Sequence, residues 1–192
     1  VTGWQLTTYT NHTVKAKIFA DCSGDGILAP LVGAEFRVGR EARSEFNESI
    51  APEEGDDRTM GMTCLFHANE HETPQSFTAP EWANVYESCD ELPVGINGHK
   101  SFSVGYWWIE LGGEYDSIND TEMLRDELLK ITYGVWDHVK NRCPNKVAAA
   151  NWALDWIQFL PGKRESRRYI GKHVLTQNEI EAEGRFDDII AY

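Results

Sequence analysis

The sequence predicts an α+β fold that combines a mixed or antiparallel sheet with one long helix. Strand-like segments follow one another in irregular order and do not alternate with helices, as a parallel α/β pattern would require. Only one segment, residues 120–141, has the length and periodicity of a long amphipathic helix. The 192 residues are 41% hydrophobic, which suits one domain or one domain with pieces of a second.

The N-terminal elements are predicted to be short. Residues 4–9 and 14–20 are typical of a hairpin, because apolar residues alternate with lysines in the second segment. The SGDG sequence at 23–26 provides two glycines for a turn with positive φ. Residues 27–32 then predict a short apolar helix that ends at Gly33.

The middle of the chain is predicted to alternate strands with charged loops. Residues 34–38 indicate a strand, and 40–58 indicate a short helix followed by an acidic loop. Residues 59–67 predict another strand. Residues 68–100 are rich in Pro, Asn, Glu and Gly, which favours a long loop with one helical turn. Residues 101–111 again predict a strand.

The clearest element is the helix over 120–141. Asn119 is expected to cap it, with Glu122 at the capping-box position, and Pro144 stops it. The helix is expected to bury one face, which carries Leu124, Leu128, Ile131, Val135 and Val139.

The C-terminal part predicts strands at 154–160 and 168–174 and a short helix at 176–181. It also contains a basic stretch, 163–172, in a chain whose net charge is −13. That acidity argues against non-specific binding of nucleic acid or of an anionic membrane. No apolar run approaches the ~20 residues that span a bilayer. The sequence shows no signal peptide and no initial Met, so it leaves the compartment open.

The sequence predicts no metal site. Histidines His67 and His71 have H-x3-H spacing, but their segment lacks an apolar helical face, which favours a solvated loop. The D-x-S-x-D-G pattern at 21–26 resembles a calcium loop, yet Val32 stands where such loops have Glu. No CxxC pair is present, which weighs against a zinc ribbon. Free thiols are expected, with one disulfide as the alternative in an exported protein, for the four cysteines Cys22, Cys64, Cys89 and Cys143.

The turn at 21–26 is a candidate site for a nucleotide cofactor. Its glycines allow backbone N–H groups to approach a ribose or a pyrophosphate, and the helix after Ile27 offers its positive end to a phosphate. An Asp in such a turn can accept a hydrogen bond from a ribose hydroxyl. A plain connection between a strand and a helix is the alternative.

The arginines of 164–168 are candidates for binding a phosphate or a carboxylate, because guanidinium groups bind such anions in a bidentate way. In an extended segment Arg164, Ser166 and Arg168 would face one side, and Glu165 and Arg167 the other. One ligand would therefore contact only one of these faces. Ion pairs with the abundant acidic residues are the alternative interpretation.

Two further residues are candidates for acid–base chemistry. Strand alternation places Tyr106, Trp108 and Glu110 on one face, which is expected either to be core or to line a pocket for a flat or sugar-like substrate. A Glu beside two aromatic rings is a candidate base. His173, next to the basic stretch, is a candidate acid, base or substrate donor. A structural role is the alternative for each of them.

Four segments of this sequence together resemble the FAD-dependent oxidoreductases, a family of bacterial flavoproteins within the glutathione-reductase-like class. The similarity runs over nearly the whole chain, and RESRR followed by Gly and a VLTQ sequence is its most specific part. The resemblance implies FAD as the cofactor and hydride transfer between an organic substrate and the flavin. The segments that carry it are residues 14–46, 103–113, 128–141 and 154–180.

The resemblance also implies roles for individual residues. In that family the strand and the SGDG segment lie against FAD, which assigns cofactor binding to matching positions here: Asp21, Ser23, Gly24, Asp25 and Gly26. Binding of a small-molecule substrate is expected at Arg164, Arg167, Arg168 and Trp108 on the basis of their own chemistry and position, and the family resemblance strengthens this expectation for the arginines. Glu110 and His173 remain the catalytic candidates.

Because the family has an N-terminal GxGxxG unit that these 192 residues lack, the sequence is expected to be a fragment. Residues 1–33 are interpreted as a remnant of the FAD-binding domain, 34–176 as the substrate-side domain and 177–192 as a return segment. The missing FAD-binding domain is then the expected partner. The isolated chain is expected to be inactive and to expose surface that favours self-association.

A stand-alone module that binds a carbohydrate or another ligand, without redox activity, is the alternative from a different class. A purely structural interaction domain is a third. Dependence on FAD separates the first interpretation from these two.

Overall fold

A computed structural model describes residues 1–93, 107–164 and 166–187, without the side chains of Trp107 and Trp108. It has the predicted α+β class, with small antiparallel sheets and one long helix. The elements in order are β1 (Thr2–Gln5), β2 (Thr10–Thr13), α1 (Leu28–Val32), β3 (Phe36–Arg37), α2 (Arg43–Phe46), β4 (Met62–Glu70), a 3-10 turn (Cys89–Glu91), β5 (Trp107–Leu111), α3 (Thr121–Asp137), a π turn (His138–Arg142), a second 3-10 turn (Lys146–Ala149), β6 (Trp152–Ile157), β7 (Arg168–Tyr169) and α4 (Gln177–Glu181).

The core lies between α3 and a three-stranded antiparallel sheet of order β5-β4-β6. The central strand, β4, alternates as a half-buried strand should, because Met62, Cys64, Phe66 and Ala68 are all buried. The ring of Phe66 meets that of Trp136 from α3 edge to face, with centroids 5.7 Å apart. This packing fixes the helix on one face of the sheet.

The long helix confirms the prediction for 120–141, although its first turn differs from the expected one. Its N-cap is Asp120, with no side-chain capping bond, so the expected cap at Asn119 is wrong. The side chain of Asn119 donates instead to the Asp116 carboxylate at 2.6 Å. Asp116 also accepts the N–H groups of Ile118 and Asn119, which satisfies donors just before the helix.

The C-terminal end of α3 continues as a π turn that is tied down by one lysine. Lys140 is buried, and its ammonium donates to the carbonyls of Ala149, Ala150 and Trp152 at 2.7, 3.0 and 2.8 Å. Burial lowers the pKa of Lys140 from its usual value. These bonds join the end of α3 to the start of β6.

The N-terminal hairpin lies earlier in the chain than predicted, because residues 6–9, expected to end the first strand, form the turn, and residues 10–13, expected to form the turn, are the second strand. Its strands β1 and β2 are paired antiparallel, Thr2 opposite Thr13, whereas 14–20 form no strand. Alternation alone predicted that strand, but Ile18 is 86% exposed and the segment has no sheet to pack on. Backbone pairing therefore ends at Val14, which exchanges hydrogen bonds with Val1 at 2.8 and 3.0 Å.

The remaining elements fall close to their predicted places. The strands expected at 34–38 and 168–174 are the short β3 and β7, which pair with each other. Helix α4 begins with a capping box between Thr176 and Glu179. The expected strand at 101–111 is confirmed from Trp107 onward, and residues 101–106 lie outside the described residues. Among the described residues, no helix is both long and apolar enough to cross a membrane.

The core between α3 and the sheet should carry most of the stability. Leu128→Ala removes a side chain that is 0% exposed and is expected to lower the free energy of unfolding by about 2–5 kcal/mol. Leu160→Ala is the matched control, because that leucine is 71% exposed, and it should change the value by less than about 0.5 kcal/mol. Urea unfolding measures both, and equal effects would contradict this core assignment.

Candidate functional site

The two segments that were singled out as ligand sites lie against each other. We call residues 21–28 the turn segment and residues 163–169 the basic segment. The Asp25 carboxylate accepts from the Lys163 ammonium at 2.6 Å and from the Ser166 hydroxyl at 2.9 Å. Arg167 donates to the backbone carbonyl of Asp25 at 3.1 Å. About 140 residues of sequence separate these partners, so the tertiary fold alone brings them together.

Asp21 closes the turn segment from its other end. Its carboxylate accepts the N–H groups of Ser23 at 3.0 Å and Leu28 at 2.9 Å, and the Tyr169 hydroxyl at 2.6 Å. The Ser23 hydroxyl and then the Tyr169 hydroxyl hold the pKa of Asp21 well below its usual range. The same contact raises the pKa of Tyr169. Asp21 thereby caps α1 and fixes the path of the turn.

The glycines of the turn have different roles. Gly24 and Gly26 both have positive φ, 83° and 57°, which favours glycine. Gly26 is buried, and a side chain there would meet the Cβ of Arg167 at 3.2 Å. Gly24 has no atom within 4 Å of the position a Cβ would take. Gly26 is thus required for packing, while Gly24 leaves open space above the turn.

The backbone at Gly24 also carries hydrogen-bond donors. Within the described part of the chain, no acceptor contacts the N–H groups of Gly24 and Asp25. Successive backbone N–H groups at a glycine-rich turn are suited to an anionic oxygen. The backbone N–H groups of Gly24 and Asp25 are therefore the donors that this turn has available for an anion.

The side chains of the turn are engaged within the protein. The carboxylates expected to accept from a ribose belong to Asp21 and Asp25, and both contact residues of the basic segment. The N-terminus of α1, which was expected to offer its positive end to a phosphate, already holds the Asp21 carboxylate through Leu28. These side chains shape the turn, and the donors available to a cofactor belong to the backbone.

A cleft of about 1000 Å³ lies beside the basic segment. Ser166 and Arg168 line it, while Arg167 lies over the Phe36 ring at 5.7 Å and contacts the turn. Ser166 and Arg168 share the cleft side, as expected of an extended segment. The Ser166 hydroxyl nevertheless also reaches Asp25, the residue that Arg167 contacts, so the two predicted faces are not cleanly separated. Glu165 lies outside the described residues. The basic segment therefore contacts the turn and also lines the cleft.

The arginines of the cleft are paired with carboxylates. Arg168 donates to Glu41 at 3.0 Å and to the carbonyl of Gly39. Arg58 lies 2.8 Å from Glu114, and Arg40 pairs with Asp56 and lowers the pKa of that carboxyl to about 2. Burial raises the pKa of Glu41, but Arg168 outweighs it and the net pKa is lowered. An anionic ligand of this cleft would have to compete with these carboxylates.

The other candidate residues lie elsewhere. Arg164 is exposed. Glu110 is exposed on β5, on the face opposite the fully buried Ile109. His173 lies against α4, with Nε2 3.2 Å from Glu179 and its ring 4.9 Å from that of Phe186. Trp108 was predicted to bind substrate, but its side chain lies outside the part of the chain that the structure describes.

Sequence reasoning missed the residues that hold the turn in place. Tyr169 and Ser166 carried no signal of their own, because their partners are distant in sequence. The one available hint was that Ser166 and Tyr169 flank the arginine pair Arg167 and Arg168. It also missed a cluster of Cys89, His138 and Cys143, whose members occupy separate elements.

The depressed pKa of Asp21 makes stability depend on pH. Asp21 is ionised in the folded protein at lower pH than in the unfolded chain, so its stabilisation is complete above about pH 5 and is lost as pH falls through the folded-state pKa. Asp21→Asn should therefore lower the free energy of unfolding at neutral pH. The difference in this free energy between the variant and the wild type, its stability deficit, should shrink as pH falls toward about 2.

Chemical denaturation of both proteins across this pH range measures that deficit. Asp126→Asn is the control, because Asp126 is exposed and pairs only with the adjacent Arg125 among the contacts described for it. A deficit that is absent at neutral pH, or that does not change with pH, would contradict the role given to Asp21.

Comparison with known proteins gives one match, and it covers the whole sequence. The family described as FAD dependent oxidoreductase matches residues 1–192. Neither the curated proteins nor the solved structures give a significant match. This match indicates a flavin-linked redox role in general. This chain belongs to the FAD-dependent oxidoreductase family.

Proposed function

We propose that this chain supplies a flavin-binding turn and a substrate cleft to an oxidoreductase that exchanges hydride between an organic substrate and FAD. The observation that carries this proposal is the pair of N–H groups at Gly24 and Asp25, which lie at an open and rigidly held turn. FAD supplies the redox chemistry when it is bound, and the protein supplies binding and orientation.

The turn is proposed to bind the diphosphate of FAD. A phosphate there would meet the backbone donors of Gly24 and Asp25, but it would also approach the negative carboxylate of Asp25. Lys163, 2.6 Å from that carboxylate, offsets its charge and reduces the repulsion. The ion pair thus serves the turn both by fixing its shape and by making it acceptable to an anion.

The substrate is proposed to bind in the cleft, where Arg168 is the residue of the basic segment best placed to contact it. Arg168 is held by Glu41 and by the carbonyl of Gly39. A substrate carboxylate could replace Glu41 as its partner at little cost, since exchange of one carboxylate for another keeps the guanidinium paired. Arg167 is assigned to the turn instead, because it contacts Asp25 and Phe36.

A dinucleotide-binding unit is proposed to cover the exposed apolar surface near the turn. Ile18, Leu31 and Val32 are 86%, 73% and 66% exposed. So much apolar surface on a short segment is typical of a surface that another unit covers. Such a unit would complete the flavin site. The chain by itself is then proposed to bind FAD weakly and to show no turnover.

Backbone contact with FAD can be tested even at weak affinity. Titration of the isotopically labelled 192-residue chain with FAD should shift the amide resonances of Gly24 and Asp25. Riboflavin, which has no phosphate, should shift them much less. Gly24→Ala places a methyl group in the open space above the turn and should weaken FAD binding by roughly tenfold, about 1.4 kcal/mol.

Gly33→Ala is the matched control for that variant. Gly33 has φ 72° and nothing within 4 Å of an added Cβ, so the substitution introduces similar backbone strain, about 1–2 kcal/mol, away from the turn. Equal loss of FAD binding in both variants would contradict the proposed contact. So would the absence of any shift at Gly24 and Asp25 with millimolar FAD.

A further inference from the structure

A group of sulfur and nitrogen donors lies at the C-terminal end of α3. The Cys89 Sγ is 3.4 Å from His138 Nε2 and 4.0 Å from Cys143 Sγ. All three donor atoms lie within 4.8 Å of one another. We propose that this group binds one divalent cation of the zinc type, since thiolate and imidazole are the ligands that zinc prefers.

The spacing of the donors suits a tetrahedral metal. Bonds of about 2.3 Å to sulfur and 2.0 Å to nitrogen at tetrahedral angles put the ligand atoms roughly 3.5–3.8 Å apart. The separations of Cys89 Sγ from His138 Nε2 and from Cys143 Sγ, 3.4 and 4.0 Å, depart from that range by only a few tenths of an ångström. Small side-chain rotations would therefore suffice to close the site around a cation.

The π turn is what brings two of the ligands to the same side. His138 and Cys143 are five residues apart, and the N–H of Cys143 donates to the carbonyl of His138 at 2.7 Å. An α-helix would send residues five apart in different directions, whereas the i→i+5 bond of a π turn aligns them. Such turns occur frequently at functional sites.

The surroundings of the ligands orient them toward a cation. His138 Nδ1 is 2.7 Å from the carbonyl of Tyr86, and because a carbonyl only accepts, Nδ1 carries the proton. In the neutral ring the lone pair then belongs to Nε2, which faces the sulfurs, an arrangement common to metal-binding histidines. The N–H of Asn145 donates to Cys143 Sγ at 3.4 Å, which helps to hold that sulfur in place.

Access and charge also fit a cation. His138 is fully buried and Cys143 is 4% exposed, whereas Cys89 is exposed at the start of its 3-10 turn. A cation can therefore enter from the Cys89 side, and two thiolates would balance its charge. With three protein ligands, a water molecule would complete the tetrahedron. The metal would hold the segment around Cys89 against the end of α3. The Arg142–Glu87 ion pair, at 2.6 Å, already joins the same two parts of the chain.

This proposal differs from the sequence prediction of no metal site. That prediction rested on the missing CxxC pair, but here the ligands come from two segments that are 54 residues apart. A disulfide between Cys89 and Cys143 is the competing use of the same residues. The sulfurs are 4.0 Å apart and would have to approach to about 2.05 Å to form that bond.

The test is metal binding by the reduced, metal-free 192-residue chain, with Zn²⁺ or Co²⁺ as the probe. We expect one Zn²⁺ per chain by elemental analysis, a higher melting temperature with Zn²⁺, and with Co²⁺ the absorption bands of tetrahedral thiolate ligation. Cys89→Ser and Cys143→Ser should each weaken Zn²⁺ binding by more than about a hundredfold. Loss of a residue that only hydrogen-bonds to a metal ligand already lowers metal affinity about 10–100-fold, and loss of a ligand itself should cost more.

Two other cysteines provide matched controls. Cys22→Ser changes an exposed thiol and Cys64→Ser a buried one, and neither should alter the stoichiometry or the Co²⁺ spectrum. Cys89→Ser tests the proposal even if variants of the buried His138 fail to fold, because Cys89 is exposed. The proposal would be overturned if the chain bound no Zn²⁺, or if binding survived in both ligand variants. It would also be overturned by a Cys89–Cys143 disulfide in a chain that binds no metal after reduction.

Discussion

The ion pair between Asp25 and Lys163 is the interaction on which the proposed site depends. It joins a turn near the N-terminus to a segment about 140 residues later, with each side chain only about a quarter exposed. Removal of the lysine would leave a partly buried carboxylate without its cation at the point where an anion is proposed to bind. The hydroxyls of Ser166 and Tyr169 add bonds to Asp25 and Asp21. One short segment thereby holds both carboxylates of the turn.

The basic segment separates two surfaces with different chemistry. Arg167 faces the turn, and Ser166 and Arg168 line the cleft. Ser166 belongs to both, because its hydroxyl contacts Asp25. A cofactor at the turn and a substrate in the cleft would thus be positioned by neighbouring residues of one strand-like segment. In the proposed function, the cofactor and the substrate would then bind on either side of this segment, with Ser166 between them.

Local patterns in the sequence predicted the elements whose determinants are local. The apolar face of α3 and the short helix predicted at 176–181 both follow from residues a few positions apart. The hairpin strand at 14–20 failed because alternation does not guarantee a partner strand. The contact of Asp25 with Lys163 and the meeting of Cys89 with Cys143 depend on distant residues. No spacing rule could have predicted either, although the residue types themselves were noticed.

The most direct test of this account is a double-mutant cycle with Asp25→Asn and Lys163→Met, read out as FAD affinity of the 192-residue chain. If the ion pair holds the turn for the cofactor, each single variant should weaken binding, and the double variant should be no weaker than the worse single variant. Strictly additive losses, or unchanged affinity in Lys163→Met, would show that the turn and the basic segment act independently and would contradict the account.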